Sequence, residues 1–315
     1  MRSPAGNDAG TTASCPDAAG GRHLYDPTVA GDVRIEDVQA GRPVEGVYAV
    51  VRKQRRHDKN GDAFLVLELS DSTGRIEGRV WKNADWFDRN IQEGDRVRAI
   101  GKGTAFKEQV QLDIRRLDKL DADGDDAVTE SFIPAGTRDV MDLAGELDFL
   151  ASEITHDEQR ALVEAVWSGP MRDELLRAPA TAADHHAHLG GLLEHTVAVT
   201  SICLAAADRH PRLDRNLLVT AALLHDIGRA RELRTDGVIE RDLDGGLVGH
   251  VLLGHELLLA AAVRAKIDTT KSTWWPKFVH AVSTHHGPTE RCRTREAVVL
   301  VSANALDARL AQRDR

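Results

Sequence analysis

Between residues 44 and 115 the chain alternates apolar and polar positions in short runs, at 44–51, 64–69, 75–81, 96–101 and 109–115. This period of two predicts five β-strands. The punctuation between them fits: Asn60-Gly61 is a tight-turn signal, Asp71-Ser72-Thr73-Gly74 closes the next hairpin, and Glu93-Gly94-Asp95 leads into the fourth run. From about residue 138 the period becomes helical. Ala- and Leu-rich inner stripes alternate with charged outer faces, which predicts helices at 146–154, 157–168, 190–209, 214–227, 247–266, 274–286 and 295–312.

Five strands within 90 residues fit a small closed barrel of the OB type, and the helices after it form an all-α domain. The expected organisation is therefore multidomain, α and β. A disordered tail at 1–30, rich in Gly, Ala, Ser and Thr, precedes a barrel at 31–120; a polar acidic linker at 121–137 leads to a helical domain at 138–315. No run approaches the roughly 18 to 20 apolar residues of a membrane span, and the start lacks the apolar stretch of a secretory signal, so a cytoplasmic protein without membrane partners is expected.

Charge and side-chain chemistry sharpen this picture. The barrel region carries 18 Lys and Arg against 16 Asp and Glu, while the rest of the chain carries 23 against 34. The barrel surplus gathers in Arg52, Lys53, Arg55, Arg56 and Lys59, near Phe64 and Trp81. Cations beside aromatic rings supply phosphate contacts and base stacking together, so these seven residues are the candidate nucleic-acid contacts. Cys15, Cys203 and Cys292 form no CxxC pair, which excludes a thiolate zinc site and a disulfide framework.

Most of the 14 histidines fall in the helical region. His195 shares a stripe with Leu192, Val199 and Ile202, and His250 shares one with Leu247, Gly254 and Leu257. His285 follows Phe278 and Val282 on one face, and His225 and Asp226 are adjacent. Burying four imidazoles and a carboxylate without partners costs several kcal/mol, and a shared cation relieves all of them. A donor set without thiolate suits Mn, Fe, Co, Ni or Zn, and such ions serve hydrolysis. His255 lies some 140° around its helix from His250, His280 is read as packing, and Trp274-Trp275-Pro276 as a helix start.

These residues carry a resemblance. Leu-Leu-His225-Asp226-Ile-Gly, with His195 before it and His250 and His285 after it, resembles the HD superfamily of metal-dependent phosphohydrolases. The segments His186-Ala-His188-Leu-Gly-Gly-Leu-Leu-Glu-His195-Thr, Gly249-His250 and Ser-Thr-His285-His286-Gly-Pro-Thr-Glu, placed after an OB-type barrel, are similar to the YhaM-type 3′→5′ exoribonucleases. The resemblance implies a hydrolase that shortens single-stranded RNA, with ssDNA as a further substrate, from the 3′ end. It implies one or two divalent ions, Mn first and Co, Fe, Ni, Zn or Mg as alternatives. By the same resemblance His195, His225 and Asp226 hold one ion, and Asp226 bridges to a second on His250 and His285. His286 is a further ligand or a phosphate contact, and His186 contacts a phosphate.

Two positions depart from the family pattern. Asn304 stands where the family has an aspartate, with Asp307 one turn later as a substitute ligand, and Arg229 stands where the family has lysine. Two other readings compete with the nuclease: an HD phosphohydrolase acting on a small nucleotide, and a non-catalytic single-strand-binding protein with a degenerate HD site. A homo-oligomer is left open.

Overall fold

The computed structural model describes residues 32–107, 109–120, 132–235 and 238–313. The tail expected at 1–30 and most of the expected linker, 121–131, lie outside them. Five strands, β1 (Pro43–His57), β2 (Ala63–Asp71), β3 (Gly74–Val80), β4 (Arg96–Phe106) and β5 (Gln109–Lys119), close a barrel in the order β1-β2-β3-β5-β4. The β3–β5 contact is parallel and the other pairings are antiparallel. The alternation seen in the sequence is the pleat: Tyr48, Val50, Leu65, Leu67, Leu69, Val97 and Leu112 point inward and are fully buried.

All five strands are found where the pattern predicts, but four run longer at one or both ends. The largest difference is β1, which continues from Val50 through a bulge into Arg52 and on to His57, paired with β2 down to His57↔Ala63. This half has no apolar period because cross-strand pairing, not burial, holds it. The basic run is therefore strand and not loop. A helix absent from the sequence reading, α1 (Ala84–Asn90), spans seven residues and closes one end of the barrel with Phe87. Seven residues are too few to show a helical period.

The helical domain comprises α2 (Val140–Ser152), α3 (Asp157–Trp167), α4 (Arg172–Arg177), α5 (Gly191–Arg209), α6 (Arg215–Leu224), α7 (Arg229–Glu232), α8 (Leu243–Val248), α9 (His250–Arg264), α10 (Trp275–Thr284) and α11 (Arg295–Ala311), with a two-stranded ribbon β6 (Leu233–Arg234) and β7 (Glu240–Arg241). At its centre lies α6, apolar on every face and buried from Leu217 to Leu224. It starts where the Asp214 side chain accepts from the Leu217 amide at 3.0 Å. Helix α2 begins six residues earlier than predicted, at an Asp139 cap that accepts from the Met141 and Asp142 amides. The helix expected at 247–266 is divided at Gly249, whose φ of +79° ends α8 and starts α9 in a new direction.

The barrel and the helical domain are joined by direct contacts. Arg75 on β3 donates to the carbonyls of Ala183 (2.9 Å), Ala182 (3.3 Å) and Ala187 (3.3 Å) in the loop before α5. Ser70 donates to the Phe132 carbonyl at 2.9 Å, and Phe132 packs with Ala49, Val47 and Val238. The end of the expected linker, from Phe132 onward, is thus packed between the two domains.

Candidate metal centre and nucleic-acid face

Helix α6 stops at Leu224, so His225 and Asp226 stand in the turn that follows instead of inside the helix predicted to 227. Gly228 permits the next step. A Cβ there would lie 2.0 Å from the His250 carbonyl, so only glycine lets the start of α9 approach this turn and carry His250 to Asp226. His195 comes from the first half of α5, His285 and His286 from the turn just after α10, and Asn304 from the buried face of α11. His195, His225, Asp226 and His285 are all nearly inaccessible to solvent.

Their partners assign the imidazole protons. Nδ1 of His225 faces the Ala222 carbonyl at 2.8 Å, and Nδ1 of His285 faces that of Val282 at 2.5 Å. His195 sets its Nδ1 against the Asp307 carboxylate at 2.6 Å, and His250 sets its own against Glu232 at 3.1 Å. Each Nδ1 therefore donates, and each Nε2 is left with a lone pair. Those lone pairs converge on other acceptors. His195 Nε2 lies 2.9 Å from Asn304 Oδ1 and 3.3 Å from His225 Nε2. His285 and His250 Nε2 lie 3.1 and 3.2 Å from Asp226 Oδ1, and His250 Nε2 is 2.8 Å from His286 Nε2. Acceptors facing acceptors in a dry interior repel unless cations lie among them, so this donor set fits metal ions.

The donors fall into two groups that share Asp226. His195, His225 and Asp226 form one, and Asp226, His250, His285 and His286 form the other, each with ligand atoms within 4.8 Å of one another. Asn304 Oδ1 joins the first through His195, while its Nδ2 donates to the His285 carbonyl at 3.2 Å. Asp307 is not beside Asn304's oxygen. It sits behind His195, on Nδ1, and accepts from His186 Nε2 at 2.9 Å as well.

Burial lowers the pKa of His225 to about 3 and keeps its ring neutral and able to ligate, while partial burial and the neighbouring His285 also lower that of His286, whose side chain is 45% exposed. Burial works against an ionised Asp226, yet the Arg229 guanidinium beside it holds its carboxyl well below the usual range. Burial also opposes charge on His186, but the Asp307 and Glu194 carboxylates outweigh it and raise its pKa to about 9. Arg229 is buried beside the centre, with Nε 3.6 Å from Asp226, Nη2 3.3 Å from His286 and Nη1 paired to Glu232 at 2.8 Å. Its Nε makes no hydrogen bond.

The basic residues of β1 divide by strand parity. Arg52 and Arg56, with Gln54 between them, line a cleft of about 690 Å³ between the barrel and His186, His188 and Glu194. Lys53 and Arg55 point the other way: Lys53 donates to the Asp88 and Ile91 carbonyls at the end of α1, and Arg55 pairs with Asp85 at 2.7 Å. Lys59 is exposed in the turn beyond β1. Across from Arg56, Phe64 stacks on Trp81 with centroids 4.6 Å apart, and Trp81 keeps 46% of its surface exposed. His280 accepts from the Arg293 amide at 2.9 Å, a structural bond. The sequence reading missed Glu232, which fixes His250 and Arg229, and Glu194, which meets His186 and His188; both are charged residues whose partners are brought to them by the folding of the adjoining loops.

Comparison with known proteins follows the same division. The OB-fold nucleic acid binding domain family matches residues 47–120, and the HD domain family matches residues 192–309. The 3′-5′ exoribonuclease YhaM of Bacillus velezensis is 26% identical over 286 residues, covering 88% of each chain. Those of Listeria innocua and Bacillus subtilis are both 26% identical, over 90% and 88% of each chain. With both domains matched in the same order and the likeness running through most of either chain, the protein carries an OB-fold domain followed by an HD domain and is similar to the YhaM exoribonucleases along nearly its whole length.

Proposed function

We propose that the protein is a metal-dependent 3′→5′ exoribonuclease acting on single-stranded RNA, with ssDNA as a second substrate. The observation that carries the reading is the convergence of imidazole lone pairs on Asp226, which makes the HD centre a metal-holding one. In this reading His195, His225, Asp226 and Asn304 hold one ion, and Asp226, His250, His285 and His286 hold a second, with Mn²⁺ the first candidate. A bound divalent pair supplies water activation at neutral pH and neutralisation of charge on phosphoryl oxygens.

The protein's own residues do the rest. Asp307, Glu232 and the Ala222 and Val282 carbonyls fix the orientation of the ligand imidazoles. Arg229, with its Nε unbonded, is placed to take a phosphate oxygen of the bound strand. Arg52 and Arg56 receive the strand's phosphates in the cleft, and the exposed face of Trp81 stacks a base beyond it. Lys53 and Arg55, engaged with α1, serve the barrel's own structure.

A 5′-labelled single-stranded RNA incubated with the protein and Mn²⁺ tests this, with Asp226→Ala and a chelator as controls. A ladder shortening from the 3′ end one nucleotide at a time, absent from both controls, is expected. RNA bound but uncut refutes catalysis in favour of a binding protein. RNA neither bound nor cut favours a small-nucleotide phosphohydrolase.

A further inference from the structure

The loop before α5 folds tightly, with His186 at φ +49° and Gly190 at φ +80°. This brings His186 and His188 against Glu194 in the first turn of α5. Glu194 Oε2 lies 3.0 Å from His188 Nε2 and 3.7 Å from His186 Nδ1, and the three ligand atoms lie within 4.8 Å of one another. Both rings have their other nitrogen already engaged: His186 Nε2 with Asp307 at 2.9 Å, and His188 Nδ1 with the Leu189 carbonyl at 3.0 Å. A histidine ligand is held in this way, its outer N–H bonded to an oxygen and its inner nitrogen turned to the ion. Nitrogen and oxygen ligands about 2.1 Å from a shared ion lie about 3 to 3.5 Å apart, close to the spacing found here.

All three side chains line the cleft, and Arg52, Gln54 and Arg56 line it from the barrel side. We propose that His186, His188 and Glu194 form a third divalent-metal site, separate from the two groups that share Asp226, and that its open coordination positions take a phosphate of the strand lying in the cleft. Two imidazoles and one carboxylate on one side of an ion leave those positions free, and the set suits a borderline transition metal. The phosphate part rests on the nucleic-acid reading above, whereas the ion does not. The site joins the Asp226 centre through one carboxylate, since Asp307 contacts both His186 and His195.

The test counts metal in the full chain after equilibrium dialysis against Zn²⁺, for the unsubstituted protein, His188→Ala and the near-isosteric Glu194→Gln. Each variant is expected to hold one ion fewer per chain, and the Zn²⁺-loaded variants to bind a single-stranded RNA about tenfold more weakly. Equal ion counts in all three proteins overturn the site, leaving an imidazolium His186 between Asp307 and Glu194. A lower count with unchanged RNA affinity overturns the phosphate role. Because the count uses no RNA and no turnover, it stays readable even if the exonuclease assay fails.

Discussion

Replacing Asn304 by aspartate should destabilise the protein without metal and lose most of that deficit when metal binds. The Asn304 amide donates to the His285 carbonyl at 3.2 Å and turns its oxygen to His195 Nε2 at 2.9 Å. Aspartate removes the donor, and the missing hydrogen bond costs about 1 kcal/mol. It also buries a second carboxylate close to Asp226, a desolvation cost of several kcal/mol that His195 offsets only in part. In chelator we expect Asn304→Asp to be about 2 to 4 kcal/mol less stable, a drop in Tm of roughly 5 to 12 °C for a domain of this size. With metal the new charge faces the ion. An anionic ligand in place of a neutral one is worth about 2 to 3 kcal/mol after its desolvation, or one to two orders of magnitude in Kd. Thermal melts in chelator and across a Mn²⁺ titration read both effects. A Tm deficit as large at saturating Mn²⁺ as in chelator, or an unchanged Kd for Mn²⁺, refutes Asn304 as a ligand position.

Three further substitutions test the architecture. Arg75→Ala removes the guanidinium that holds the carbonyls of Ala182, Ala183 and Ala187; we expect kcat on a small phosphodiester reporter to fall about tenfold with partial recovery in Arg75→Lys, and an unchanged kcat would show that the barrel does not position this loop. The double variant Arg52→Glu, Arg56→Glu should weaken RNA binding at least tenfold and flatten its salt dependence, by about 0.7 in log–log slope for each phosphate no longer neutralised, whereas Arg55→Glu, whose partner is Asp85, should do far less; equal effects would refute the division by strand parity. Gly228→Ala places a Cβ 2.0 Å from the His250 carbonyl; displacement of α9 should cost about 3 kcal/mol and lower metal content, and a wild-type melt with full metal content would show that the close approach is unnecessary.

The strands and most helices are legible in the sequence because their stability comes from one buried face, and a buried face has a period. The exceptions are elements held by other forces. The distal half of β1 is polar on both faces and persists through pairing with β2. α1 is a short cap, and α6 ends two residues before Asp226, in a turn that runs from His225 to Gly228. At the centre, histidine spacing picks out the candidate ligands, since inward-facing imidazoles on several helices need a common partner. What spacing does not reveal is which nitrogen faces inward. That is set by Glu232, Asp307 and two backbone carbonyls, and the contact between His195 and Asp307 spans 112 positions of sequence. The parity of the basic run is available in principle: 52, 54 and 56 share one face of a strand and 53 and 55 the other, once the run is known to be strand.

The barrel surface at Trp81 and the HD centre, neither of which lines the cleft itself, select for different things. At the barrel end the available contact is one exposed face of Trp81, backed by Phe64 at 4.6 Å. A base accepts such a ring only if its own face is free, which a base stacked inside a duplex does not offer. At the HD end the groups are imidazoles, carboxylates and the Arg229 guanidinium, a set that on the exonuclease reading is occupied by metal and phosphate. If Trp81 is the stacking contact, strandedness is sensed there and not at the metal centre. On the exonuclease reading, trimming should proceed through any single-stranded sequence and halt a fixed number of nucleotides before a stable hairpin, where the next base can no longer unstack onto Trp81. Trp81→Ala should blur that stopping point while leaving the step of one nucleotide unchanged. A stop that stays equally sharp in the variant would place the strandedness sensor elsewhere, with the cleft walls at Arg52 and His188 as the next location.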